Sequence, residues 1–151
     1  MYISGVNYES IADGEGVRCT IFISGCKHNC KGCHSPSTHD FNSGTKLTKE
    51  VLDDINEEIR KRKFLSGITL SGGDPMYSAK ECIELLDNLY IPHNNVWIYS
   101  GFTYEEICNN KDMKALLDKC DVLVDGVFIE ELRDVSLDFR GSTNQRIIRL
   151  K

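Results

Sequence analysis

Four short runs rich in β-branched and aromatic residues, at 17–23, 68–70, 96–99 and 122–124, alternate with stretches of helical periodicity. This alternation restricts the chain to an α/β sheet, because a strand–helix–strand crossover packs back on its sheet with parallel strands and a right-handed connection. After the first run, Thr48 stands where an N-cap is needed and Val51, Leu52, Ile55 and Ile59 fall on one helical face. Leu47 and Leu52 are placed as a hydrophobic staple, and the basic run 60–63 complements the dipole at the far end. Ser78 with Glu81 predicts a capping box opening a helix that carries Ile83, Leu86 and Leu89. Thr103 with Glu106 predicts another box, followed by a helical stretch around 114–119. The tail Arg146, Ile147, Ile148, Arg149 and Leu150 supplies a fifth strand with the mixed pattern of an edge. A closed eight-stranded barrel of this type takes about 250 residues. The 151 residues therefore read as a single domain, 1–151, with about five core, mostly parallel strands and helices on the outer face.

In parallel α/β sheets ligands bind at the carboxyl ends of the strands. Four unusual turns fall there in this chain: 25–33 with Cys26, Cys30 and Cys33, then Ser71-Gly72-Gly73-Asp74-Pro75, Ser100-Gly101, and Asp125-Gly126. Thiolates are soft ligands for zinc or iron–sulfur clusters, and three of them within eight residues can wrap one centre. If no fourth protein ligand joins, one iron stays open to a small molecule; in the competing reading His34, His39 or a distant cysteine closes a structural zinc site. The Gly72-Gly73 turn allows close backbone approach to a ligand, and Asp74 offers a carboxylate for an ammonium group. The total of seven cysteines is odd and no leader-like pattern opens the chain, so a secreted disulfide scaffold fits poorly and the reading is cytoplasmic. The other four, Cys19, Cys82, Cys108 and Cys120, read as packing residues. A net charge of −5 and the lack of any long apolar run give no reason to expect nucleic acid or a membrane as partner.

The Cys26-x3-Cys30-x2-Cys33 triplet resembles the signature of the radical S-adenosylmethionine enzymes, and the Gly-Gly-Asp-Pro turn looks like the motif that holds the methionine amino group there. Asp13-Gly14-Glu15-Gly16-Val17-Arg18 is similar to a segment of the activating enzymes of glycyl-radical proteins. Val124-Asp125-Gly126 with the stretch 139–146 looks like those members that act on anaerobic ribonucleoside-triphosphate reductase. Many relatives have proline at the position of Glu15 and an aromatic residue at that of Gly32.

The resemblance implies a partial (β/α) barrel and a [4Fe–4S] cluster held by Cys26, Cys30 and Cys33. It also implies S-adenosylmethionine bound near Gly32, Cys33, His34, Gly72, Gly73, Asp74, Ser100 and Asp125. A small flavin or iron–sulfur protein is the implied electron donor, and the implied product is a glycyl radical on the reductase. Tyr99 sits on a turn at the same rim, and Arg18 is a candidate to pair with a carboxylate beneath the cysteine loop. The alternatives are an activase of another glycyl-radical enzyme and a zinc-binding interaction module.

Overall fold

The computed structural model describes residues 1–33 and 36–151. In chain order its elements are β1 (Tyr2–Ser10), β2 (Arg18–Ile23), β3 (Thr45–Lys46), α1 (Lys49–Lys61), β4 (Gly67–Gly72), α2 (Ala79–Asp87), β5 (Val96–Tyr99), α3 (Tyr104–Cys108), α4 (Lys111–Leu117), β6 (Val122–Asp125) and β7 (Arg146–Arg149). The strands form one open seven-stranded sheet in the order β3-β1-β2-β4-β5-β6-β7. Its centre is parallel, with β2 on β4, β4 on β5 and β5 on β6, while β1, β3 and β7 are antiparallel to their neighbours.

Two of these strands, β1 and β3, were not foreseen from sequence patterns. β1 departs from clean alternation because its register against β2 shifts between Ile3 and Gly5 and again between Asn7 and Ser10. Each irregularity resets which side chains face the core, so no period of two survives to be read.

Pairing register divides the sheet into two faces. Cys19, Ile21, Ile68, Leu70, Val96, Ile98 and Leu123 share one face and join Ile55 and Ile59 of α1, Cys82 and Leu86 of α2, Ile107 of α3 and Leu116 of α4 in the main core. The other face carries Phe22, Ser71, Tyr99 and Val124, with a smaller apolar cluster of Trp97, Val122, Val124, Tyr99, Phe139 and Ile147. All four helices therefore cover one side, and the opposite side is left for a cavity. No helix among the described residues is long and apolar enough to cross a membrane.

Helix starts follow local chemistry. Thr48 accepts from Val51 N, and Thr103 with Glu106 forms the complete reciprocal box. Ser78 makes no side-chain cap, contrary to the expected box at Ser78 and Glu81. The chain enters α2 through a 3₁₀ turn, Pro75–Ser78, which Asp74 caps by accepting from Met76 N, so the cap is taken one turn early. Asn110, accepting from Met113 N, starts α4 three residues before the stretch expected from sequence.

Candidate cofactor site

Four turns and one long loop converge on the bare face of the sheet. The carboxyl ends of β2, β4, β5 and β6 lead into Cys26, Gly72, Ser100 and Gly126, and all four line a single cavity of about 350 Å³. Cys30 and Cys33 line it as well, with Gly73, Gly101, His28 and Tyr99. Because β7 runs antiparallel to β6, with Arg146 opposite Asp125, the loop that precedes β7 returns to this same end. Phe139, Arg140, Gly141 and Gln145 of that loop complete the wall.

The cysteine loop is held by backbone. Gly25 N donates to Thr38 O at 2.7 Å, Cys26 N to His39 O at 3.1 Å and Asp74 N to Gly25 O at 2.8 Å. The turn after β4 lies so close that a Cβ on Gly73 would stand 2.5 Å from Gly25 O, and one on Gly72, whose φ is +104°, 2.5 Å from Ile23 N. Two successive glycines are thus required where the second turn folds under the first.

Cys26, Cys30 and Cys33 are half-buried and none of them is in a disulfide. Burial pushes the Cys26 and Cys30 thiols up, opposed at Cys30 by a backbone hydrogen bond from Phe128. Among the described residues no three histidine, cysteine, aspartate or glutamate side chains converge where a lone ion would sit. Three soft donors on the wall of one cavity are ligands of the kind that hold zinc or an iron–sulfur cluster.

Of the residues expected to bind the cofactor, Cys33, Gly72, Gly73 and Ser100 line the cavity. His34 lies outside the described residues. Three others stand off the wall. Gly32 packs beside Glu130, whose carboxyl carbon would be 3.1 Å from an added Cβ. Asp74 is 1% exposed, and its carboxylate accepts from His28 Nε2, Ser100 Oγ, Gly101 N and Met76 N, so it is occupied in joining turns rather than presented to a ligand. Asp125 is likewise 1% exposed; it accepts from Tyr104 N and pairs with Arg146, whose guanidinium also grips Glu105.

Arg18 is buried, and among the described residues it forms no ion pair with the carboxylate expected of it. It donates instead to Thr69 Oγ1, Ile68 O, Glu15 O, Asn95 O and Asn95 Oδ1, and its guanidinium lies 5.6 Å from the centre of the Trp97 ring. Cys19, Cys82 and Cys120 are core residues and Cys108 packs against that core, as their reading as packing residues requires.

The sequence gives no signal for a role of His28, yet it reaches Asp74 at 2.6 Å, and its ring lies 5.2 Å from that of Tyr77 and 4.7 Å from that of Phe102. The partners are 46 positions apart, and no local pattern joins them. Tyr99 is also engaged within the protein. Its hydroxyl donates to Phe139 O at 2.6 Å, and burial holds it protonated.

The chain matches the family model described as "4Fe-4S single cluster domain" over residues 12–148. It is 40% identical to an anaerobic ribonucleoside-triphosphate reductase-activating protein of Vibrio cholerae over 144 residues, 92% of each chain. The protein of that name from Escherichia coli K12 is 38% identical over 149 residues, covering 93% of this chain and 94% of that one. A bacteriophage T4 protein of the same name is 31% identical over 153 residues, covering 94% and 93%.

Proposed function

The chain belongs to the family of anaerobic ribonucleoside-triphosphate reductase-activating proteins and carries a 4Fe-4S single cluster domain, and on that premise we propose that it is a radical S-adenosylmethionine activase. It acts on an anaerobic ribonucleoside-triphosphate reductase, placing a radical on one glycine of that partner. The observation that carries this reading is the meeting of the three cysteines and the double-glycine turn on the wall of one cavity.

Cys26, Cys30 and Cys33 would hold the cluster. The chemistry supplied there would be one-electron reductive cleavage of S-adenosylmethionine to methionine and a 5′-deoxyadenosyl radical, with the electron received from a small flavin or iron–sulfur protein. The chain contributes binding and exclusion. Gly72 and Gly73 let the methionine end approach backbone without a Cβ between them. Phe22, Tyr99, Val124, Phe128 and Phe139 line the same cavity and shield the reacting carbon from water.

The target hydrogen is on a glycine Cα, where a radical is delocalised over the adjoining amide nitrogen and carbonyl and no side chain blocks approach. An open sheet supports this substrate: with β3 and β7 as its edges and no closure between them, it leaves room for a loop of a larger protein.

The test is anaerobic reconstitution with iron and sulfide. A brown protein whose electron paramagnetic resonance signal shifts on adding S-adenosylmethionine supports the reading, and tightly bound zinc without a cluster refutes it. Cys30→Ser is expected to lose the cluster and Cys108→Ser to keep it. Mixing reduced protein, S-adenosylmethionine and the reductase should yield a glycyl-radical doublet; cleavage of S-adenosylmethionine without that doublet means a different target.

A further inference from the structure

The connection from β6 to β7 has two tiers. The second, 139–145, lines the cavity and is pinned there: Gln145 Oε1 accepts from Gly141 N and Ser142 N, and Gln145 Nε2 donates to Gly126 O. The first, 129–138, is clamped onto the second by backbone. Thr143 N donates to Leu132 O at 3.0 Å and Asp134 N to Gly141 O at 3.1 Å, and Arg133 is bridged antiparallel to Ser142. Ile129 N donates to Ser142 Oγ, and Val127 and Phe128, just before this tier, line the cavity. On its other flank Glu130 stands against Gly32 and pairs with Lys31 at 3.7 Å. The first tier is therefore a ledge at the edge of the cavity, fixed between its wall and the cysteine loop.

What the ledge presents is apolar. Val135 is 86% exposed and Leu132 41% exposed, while Ile129 and Leu137 are half-buried. Among the described residues none of these four belongs to either apolar cluster of the fold. A backbone held this firmly keeps such side chains outside, and apolar groups gathered on one exposed segment mark a contact surface. The charges beside them are mostly acidic. Lys31 takes Glu130 and Arg140 acts on Asp134, which leaves Glu131 and Asp138 without an ion pair among the described residues. A complementary partner is thus apolar with basic residues beside the contact, and anionic lipid headgroups fit poorly. A second copy seated on the ledge would stand across the edge of the cavity and obstruct what has to enter it. We infer that the 129–138 ledge docks the reductase: apolar side chains flanking its glycine-bearing segment sit on Leu132 and Val135, and its lysines or arginines meet Glu131 and Asp138. This rests on the proposed function, which brings the partner's glycine into the cavity that the ledge borders.

The experiment separates docking from chemistry. Equilibrium binding of the anaerobic ribonucleoside-triphosphate reductase to the cluster-loaded protein is measured anaerobically with S-adenosylmethionine and no reductant. Cleavage of S-adenosylmethionine by the dithionite-reduced protein alone is measured beside it. Leu132→Ser combined with Val135→Ser should weaken reductase binding about 10- to 100-fold and leave cleavage within about twofold of wild type. Phe64→Ser, at an exposed apolar residue in the turn before β4 at the opposite end of the sheet, should leave both unchanged. Glu131→Lys combined with Asp138→Lys should weaken binding and flatten its decline with added salt. Val135→Ser alone repeats the comparison where the double variant disturbs the loop. Wild-type affinity in both double variants overturns the inference, as does cleavage that falls as far as binding in Val135→Ser. Lost self-association with reductase binding kept assigns the ledge to a second copy and overturns it too. Wild type that cleaves S-adenosylmethionine yet neither binds the reductase nor yields its glycyl radical overturns the target in the functional reading, and this inference with it.

Discussion

His28 Nε2 lies 2.6 Å from Asp74 Oδ2 and so ties the cysteine loop to the turn after β4 through a buried carboxylate. The same oxygen accepts from Ser100 Oγ at 3.0 Å and Gly101 N at 2.9 Å, while Oδ1 caps the following 3₁₀ turn through Met76 N. Since the carboxylate accepts, Nε2 of His28 carries the hydrogen. One side chain thus fixes the relative positions of the turns that end β2, β4 and β5. On the proposed function the cysteine loop holds the cluster and needs such support, because ligands held loosely do not keep a cofactor in one geometry.

Asp74→Asn should be destabilised by about 2–4 kcal/mol, since an amide offers one acceptor oxygen to donors that now share two and turns an N–H₂ toward another donor. Urea unfolding measures this, and a variant as stable as wild type would show that the network carries no weight. His28→Ala, which leaves the cysteines intact, should give up its cluster to a chelator several-fold faster than wild type.

Gly73→Ala places a methyl group 2.5 Å from Gly25 O and 2.8 Å from Thr38 O, both backbone atoms that cannot rotate away. A loss of about 1–3 kcal/mol is expected, with poorer cluster uptake, because relief requires the cysteine loop to shift. Thermal melting and iron content of the reconstituted variant check the two effects separately.

Arg18→Leu removes the donors that serve Thr69 Oγ1, Ile68 O, Glu15 O and two oxygens of Asn95. Burial pushes the guanidinium pKa down to about 10, which leaves it charged at neutral pH, and its five hydrogen bonds make it a hub between β2, β4 and the turn before β5. The substitution should cost about 3 kcal/mol, since buried acceptors left without donors lose more than a leucine regains by packing. Denaturant titration with an unchanged midpoint would contradict this.

Alkaline pH should weaken the fold through buried thiols. Burial pushes Cys19 and Cys120 up to about 12 from an ordinary 9.0, and Cys82 higher still. Below about pH 9 these thiols are protonated whether the chain is folded or not. Between about 9 and 12 the unfolded chain ionises them while the folded chain does not, so their contribution to stability drains away as pH rises. Cys120→Ala should show a shallower decline of unfolding free energy from about pH 8.5 to pH 11 than wild type; equal slopes would mean that this thiol is not held protonated.

The alternation of strand and helix, the caps at Thr48 and Thr103, the cysteine triplet and the double glycine are all local patterns, and each is legible because its physics acts within one turn or one pleat. Ser78 misleads for the same reason: its spacing to Glu81 is right, but Asp74 caps the preceding turn, and only the folded backbone shows which came first. Asp74 and Asp125 look like ligand carboxylates in a row of letters. In the fold both are taken by internal donors, and the partners that take them, His28 and Arg146, stand 46 and 21 positions away.

By itself the sequence determined which chemistry the chain can perform, since residue type sets thiol softness, glycine's freedom and the periods of strand and helix. The tertiary structure alone decided who meets whom at the site. Pairing β7 antiparallel to β6 turns the chain so that 139–145 returns to the rim that holds the cysteines, whereas a parallel β7 would leave that loop at the opposite end of the sheet. Arg140 faces the cavity for that reason, a consequence of strand direction that no window of neighbouring residues encodes.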